Sequence, residues 1–146
     1  MKAVLLPILL VAQAAPSMSG SIDGLPLGAL PKQELPARGC AAYLWSKTAT
    51  PALVAMAGAD PAQLRISIGG VITDLARDTQ QGAGGFGFST TTAYRNAAVT
   101  ATLDMTIAPR DDLKDGAAVP EGTLRLDRAG QDSVVLPVAG LIGCAH

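Results

Sequence analysis

The side chains best equipped for chemistry in this 146-residue sequence are its two cysteines, Cys40 and Cys144, and its single histidine, His146. A nucleophilic cysteine needs an imidazole beside it to take its proton. His146 is the last residue, two positions beyond Cys144. Chain ends fray, so a fixed thiol–imidazole geometry is not expected there. A Ser–His–Asp arrangement would depend on the same terminal residue. The sequence holds neither a C-x-x-C redox pair nor the second cysteine pair of a zinc site. In an oxidising compartment, two cysteines flanking a domain most simply pair with each other. A Cys40–Cys144 disulfide is therefore expected.

Other residues suggest chemistry more weakly. Gly82-Ala-Gly-Gly-Phe-Gly87 matches the glycine pattern of dinucleotide sites. That pattern works only between a strand and a helix, where a helix N-terminus meets the pyrophosphate. The β-branched run that follows is strand-like, so a loop running into a strand is expected. Asp111-Asp-Leu-Lys-Asp-Gly116 gathers three carboxylates. Leu113 occupies a position where a calcium loop needs an oxygen ligand, and Lys114 brings an opposing charge, so a solvated loop is expected. Asp104, Glu121 and Asp127 could supply the two carboxylates of a hydrolase, held about 5–10 Å apart. No spacing in the sequence favours that pairing. Neither a cofactor nor a metal is implied. The chain holds five aromatic residues. Of these, Tyr43, Trp45, Phe86 and Phe88 are the candidate ligand-binding set, as the wall of an interior cavity.

The compartment is read from the N-terminus. Lys2 precedes an apolar run over residues 3–12, and Ala12-Gln13-Ala14 places small residues for signal peptidase. The run is about 10 residues, whereas a bilayer-spanning helix needs about 20. Residues 1–14 are therefore expected to be a cleaved signal, with no stable membrane insertion afterwards and a periplasmic or secreted destination. Eleven Lys and Arg residues, mostly scattered singly, stand against twelve Asp and Glu. Phosphate recognition needs clustered cations, so nucleic acid is not an expected partner.

The elements that must position these residues are strands. Residues 15–39 carry Pro16, Pro26, Pro31 and Pro36, which forbid a continuous helix or a central strand. This stretch reads as an extended or disordered lead-in to a β-domain over 40–146. Within that domain, Ala41, Tyr43 and Trp45 share one face of a strand. Residues 53–57 read as a strand in preference to a helix capped by Thr50 and Pro51, because Gly58 and Pro61 end the segment early. Residues 64–68 and 71–75 flank Gly69-Gly70, a hairpin signal. Val99, Ala101, Leu103, Met105 and Ile107 alternate with polar residues over a full strand. A last hairpin joins 123–127 to 133–138, where Pro137 calls for an edge or a bulge.

About eight short strands suggest an all-β antiparallel sandwich or barrel. In an eight-strand meander, the start of the first strand and the end of the last lie at one rim, where a Cys40–Cys144 bond would close the fold. Too few aromatics are present for the two girdles of a membrane barrel. The expected function is an exported, non-enzymatic envelope module that contacts a partner protein or contributes structurally. The alternative is a small-ligand carrier with an aromatic-lined cavity, and a carboxylate hydrolase ranks behind both.

Overall fold

The computed structural model describes residues 21, 22 and 24–145; the expected signal at 1–14 and His146 lie outside them. The nine strands are β1 (Leu27–Gly28), β2 (Gly39–Ser46), β3 (Leu53–Ala59), β4 (Ala62–Ile68), β5 (Val71–Gln81), β6 (Thr91–Arg95), β7 (Val99–Pro109), β8 (Gly116–Arg128) and β9 (Val134–Ala145). Every pairing is antiparallel. Strands β2 to β9 each pair with the next in sequence, and β9 returns to pair with β2. The result is a closed eight-stranded meander barrel with β1 added to β4. Of the two architectures the strand count allows, the molecule adopts the barrel.

The closing seam carries Cys40 directly opposite Cys144 in the β2–β9 ladder, and the two form a disulfide. Cys40 is the second residue of β2 and Cys144 the last but one of β9, at the shared rim that the meander requires. The β4–β5 hairpin turns at Gly69 and Gly70, both at positive φ, 57° and 83°. Two consecutive left-handed residues match the twist of the flanking strands, which is why glycine occupies both positions.

Inward positions form one contiguous core cluster. Leu44, Leu64, Ile66, Leu75, Leu103 and Leu124 are fully or almost fully buried within it. Small inward residues such as Ala42, Ala55 and Ala57 lie in the same cluster. An eight-stranded barrel is just wide enough for its side chains to fill, and here the inward residues pack into that single cluster. Ile22 and Leu27, at 6% and 0% exposure, plug one end beside β1. Phe88, at 7%, closes the other from the β5–β6 loop.

Strand β8 departs from simple alternation. Val119 pairs with Gly140 and Gly122 with Val138, so β8 spends one more residue than β9 over this stretch. The same extra residue appears against β7, between the Ala108–Ala118 and Thr106–Glu121 pairs. It is a bulge at Pro120–Glu121, and it inverts the strand's phase: Ala117 and Val119 point inward before it, Leu124 and Leu126 after it. Proline suits such a position because it has no N–H to give to the ladder. Pro137 is accommodated differently. Its carbonyl accepts from the Lys47 N–H, just past the last β2–β9 pair, Ser46–Val138. Within a strand a residue's N and O point to the same side, so the proline nitrogen faces the place where β2 has ended.

The lead-in is extended and packed. Leu30 N–H donates to the Leu53 carbonyl at 2.7 Å. Gln33 then accepts from Arg65 at 2.8 Å, and the Glu34 carbonyl accepts from the Tyr43 hydroxyl at 3.0 Å. This strap crosses the outer wall of the barrel and covers outward-facing Ala41, which is fully buried. Replacing Tyr43 with Phe is expected to lower stability by about 0.5–1 kcal/mol, the net worth of one hydrogen bond, and to speed proteolysis at Arg38. Denaturant titration and limited trypsin digestion measure the two effects. Unchanged cleavage would mean the strap is anchored elsewhere.

Candidate functional site

The interior is not the place where the candidate aromatics meet. Period-2 alternation puts Ala42, Leu44 and Ser46 of β2 inside, at 0%, 0% and 2% exposure. Tyr43 and Trp45 therefore share a face, as their spacing predicts, and that face is the outer one. Trp45 is 37% exposed. Tyr43 spends its hydroxyl on the strap, and burial pushes its phenol pKa up.

Phe86 and Phe88 do not stand on a strand, contrary to the strand-like reading of this stretch. They belong to the loop between β5 and β6, with Phe86 at φ 58° and Gly87 at 86°. The strand itself begins at Thr91. Phe88 enters the core, and Phe86 packs against it. The four aromatics line no common cavity. The interior aromatic on a barrel strand is Tyr94, 2% exposed, with its phenol pKa also raised by burial. The short alternation Thr92/Tyr94 was the available signal for it.

The glycine-rich loop uses its own N–H groups. Gly84 and Gly85 both donate to the Phe88 carbonyl at 3.1 Å, and no helix follows. In the acidic loop, the Asp112 carboxylate takes two hydrogen bonds from Arg110, and the Asp115 carbonyl receives the Cys144 N–H. Among the described residues no group of three His, Cys, Asp or Glu side chains is placed to hold a metal ion.

The candidate carboxylates divide in two. Asp127 is engaged by Ser133 and Arg125, and the Ser133 hydroxyl is the main cause holding its pKa below the usual carboxylate value. Asp104 and Glu121 both face outward on neighbouring strands. Asp104 is opposite Thr123 and Glu121 opposite Thr106, so the two are diagonal neighbours, a separation of about 7 Å. Hydrolysis by two carboxylates needs one of them kept protonated by an apolar pocket. Asp104 and Glu121 are both exposed, so neither sits in such a pocket, and Asp104 accepts the Thr91 hydroxyl at 2.5 Å.

The outer wall is itself divided. Around β4, β5, β6 and β8 it carries ion pairs: Arg65–Asp74, Arg95–Asp78 and Arg125–Asp127. Across the β2–β9 seam it is apolar. Trp45 pairs with Ala139 and Tyr43 with Leu141. Leu35 of the strap lies over Gly143, next along the same strand. Leu35 and Leu141 are 58% and 44% exposed. Single exposed apolar residues are ordinary, whereas a contiguous group containing Trp and Tyr has the composition of a contact surface. No protein family, curated protein or solved structure matches this chain, so its residues and their geometry carry the functional argument.

Proposed function

We propose that the protein is an exported, non-enzymatic module of the cell envelope that binds a partner protein through the outer face of its seam. The observation that carries this reading is the exposed Trp45–Leu141 face on a barrel whose inward side chains form one contiguous buried core. A carrier would need interior volume for its ligand. The Cys40–Cys144 bond and the signal-like N-terminus support an oxidising compartment. The ion pairs on the outer wall support an aqueous location, since a membrane barrel presents an apolar band there. The partner's matching surface would be apolar with a polar rim, because the seam offers aromatic and aliphatic side chains and no charge.

The test is position-specific photocrosslinking in intact cells. A photoreactive residue at Leu141 is expected to capture one discrete protein, and Trp45→Asp is expected to abolish that product. The same probe at Thr100, on outward β7, should capture nothing. Equal products from both positions, or none from Leu141, would overturn the proposal.

A further inference from the structure

The outer wall of a barrel is convex, so a depression on it needs a device. A cleft of about 660 Å³ nevertheless opens over β6, β7 and β8. The β5–β6 loop forms one wall through Ala83, Gly84 and Thr90, and Lys47 with Pro137 stands at the other end. Between them, the Pro120–Glu121 bulge distorts the sheet where Glu121 enters the cleft. A second depression of about 280 Å³, lined by Thr79, Gln81 and Thr102 among others, shares Thr91 with the first. Together they make one groove crossing the strands from β5 to β9, about 15–20 Å at about 4.8 Å per strand.

The lining of this groove differs from the rest of the wall. The barrel strands carry five carboxylates: Asp74, Asp78, Asp104, Glu121 and Asp127. Three are ion-paired with arginine, Asp74 to Arg65, Asp78 to Arg95 and Asp127 to Arg125. The two inside the groove, Asp104 and Glu121, have no ion pair among the described residues. Hydroxyls surround them, from Thr91, Thr106 and Thr123. Such a surface offers strong acceptors beside groups that both donate and accept.

We infer that this groove binds a linear, neutral polyhydroxylated chain, a glycan, with Asp104 and Glu121 accepting hydrogen bonds from sugar hydroxyls. The rival ligands fit the lining less well. A polyanion would meet two carboxylates and one lysine. A polycation would be drawn to the two carboxylates but would meet Lys47, and it would leave the donor capacity of the three threonine hydroxyls unused. An extended peptide adds to a sheet edge or seats apolar side chains, but this groove crosses strands of a closed barrel that has no edge. The site is separate from the Trp45–Leu141 face, and neither reading depends on the other.

The inference is tested by amide chemical-shift titration of the whole mature protein with chitotetraose and, in parallel, maltotetraose. At least one sugar is expected to shift the amides of Thr91, Asp104, Thr106, Glu121 and Thr123, with a dissociation constant of about 1 mM or tighter. Asp104→Asn combined with Glu121→Gln should weaken binding about tenfold or more, a loss of about 1.4 kcal/mol. Asp127→Asn should leave it unchanged. Asp104 and Glu121 are exposed and Asp127 is half-buried, and a wild-type amide spectrum in each variant confirms folding. An N-acetylated, C-amidated Ala-Lys-Lys-Ala peptide serves as the cationic arm. Shifts at these amides with the peptide alone, or no shift with either sugar, would overturn the inference.

Discussion

Removing the seam disulfide by Cys40→Ala with Cys144→Ala is expected to lower the unfolding free energy by about 4–5 kcal/mol. The bond joins residues 104 apart. In the chain-entropy account, closing a loop of that length restricts the unfolded ensemble by about 4.7 kcal/mol at room temperature. For a domain of this size that corresponds to a fall of roughly 10–20 °C in melting temperature. The barrel should still form at 25 °C, because the β2–β9 ladder runs from Gly39–Ala145 to Ser46–Val138 without interruption. Those pairs bring together the first and last barrel strands, the most distant in sequence, and they are the natural place for local opening. Hydrogen exchange should therefore accelerate at Tyr43 and Leu141 in the variant while Leu103 and Leu124 keep most of their protection. Calorimetry and exchange together test the argument. An unchanged midpoint would show that the chain ends are already held together in the denatured state.

The strands that could be read from the sequence are those whose alternation is uninterrupted. Val99 to Ile107 keeps one phase throughout, and the structure extends that strand to Pro109. The Gly69-Gly70 turn was equally legible because glycine is what two consecutive left-handed residues require. The sequence pattern reveals strand β8 only from Thr123 onward. The bulge at Pro120 shifts the phase by one, so its two halves do not read as a single pattern. The pattern of strand β9 stops at Val138 because Ala139, Gly140 and Gly143 add little apolar signal, although they pair along β2. Tyr43 and Trp45 were correctly placed on one face. Which face points inward depends on Ala42 and Leu44, which together take up less volume than a Tyr and a Trp and are fully buried. The carboxylate pair was beyond sequence reading for a related reason. Asp104 and Glu121 become neighbours only through the β7–β8 register and the bulge beside it, and neither is encoded in the periodicity of a single strand.

Gly140→Ala is expected to be among the most damaging single-methyl additions in this protein, costing about 3 kcal/mol or more or preventing the barrel from closing. A Cβ built at Gly140 would lie 1.8 Å from the Tyr43 carbonyl oxygen and 2.9 Å from its carbon. Those atoms are backbone of the facing strand, and Gly140 is paired with Leu44 in the same ladder. Relief cannot come from a rotamer change, so β2 and β9 must separate where the barrel closes. Overpacking of a fixed interior costs about 1–3 kcal/mol, and more when main chain is the obstacle. Gly143→Ala, three residues along the same strand, is the internal control. A Cβ there would meet the Leu35 side-chain terminus at 3.1 Å, and Leu35 is exposed enough to move. That change is expected to cost less than about 1 kcal/mol. Chemical denaturation of the two variants separates the explanations. Similar losses at both sites would mean that β9 needs glycine for flexibility in general, whereas a large loss confined to Gly140 assigns the requirement to close contact with β2.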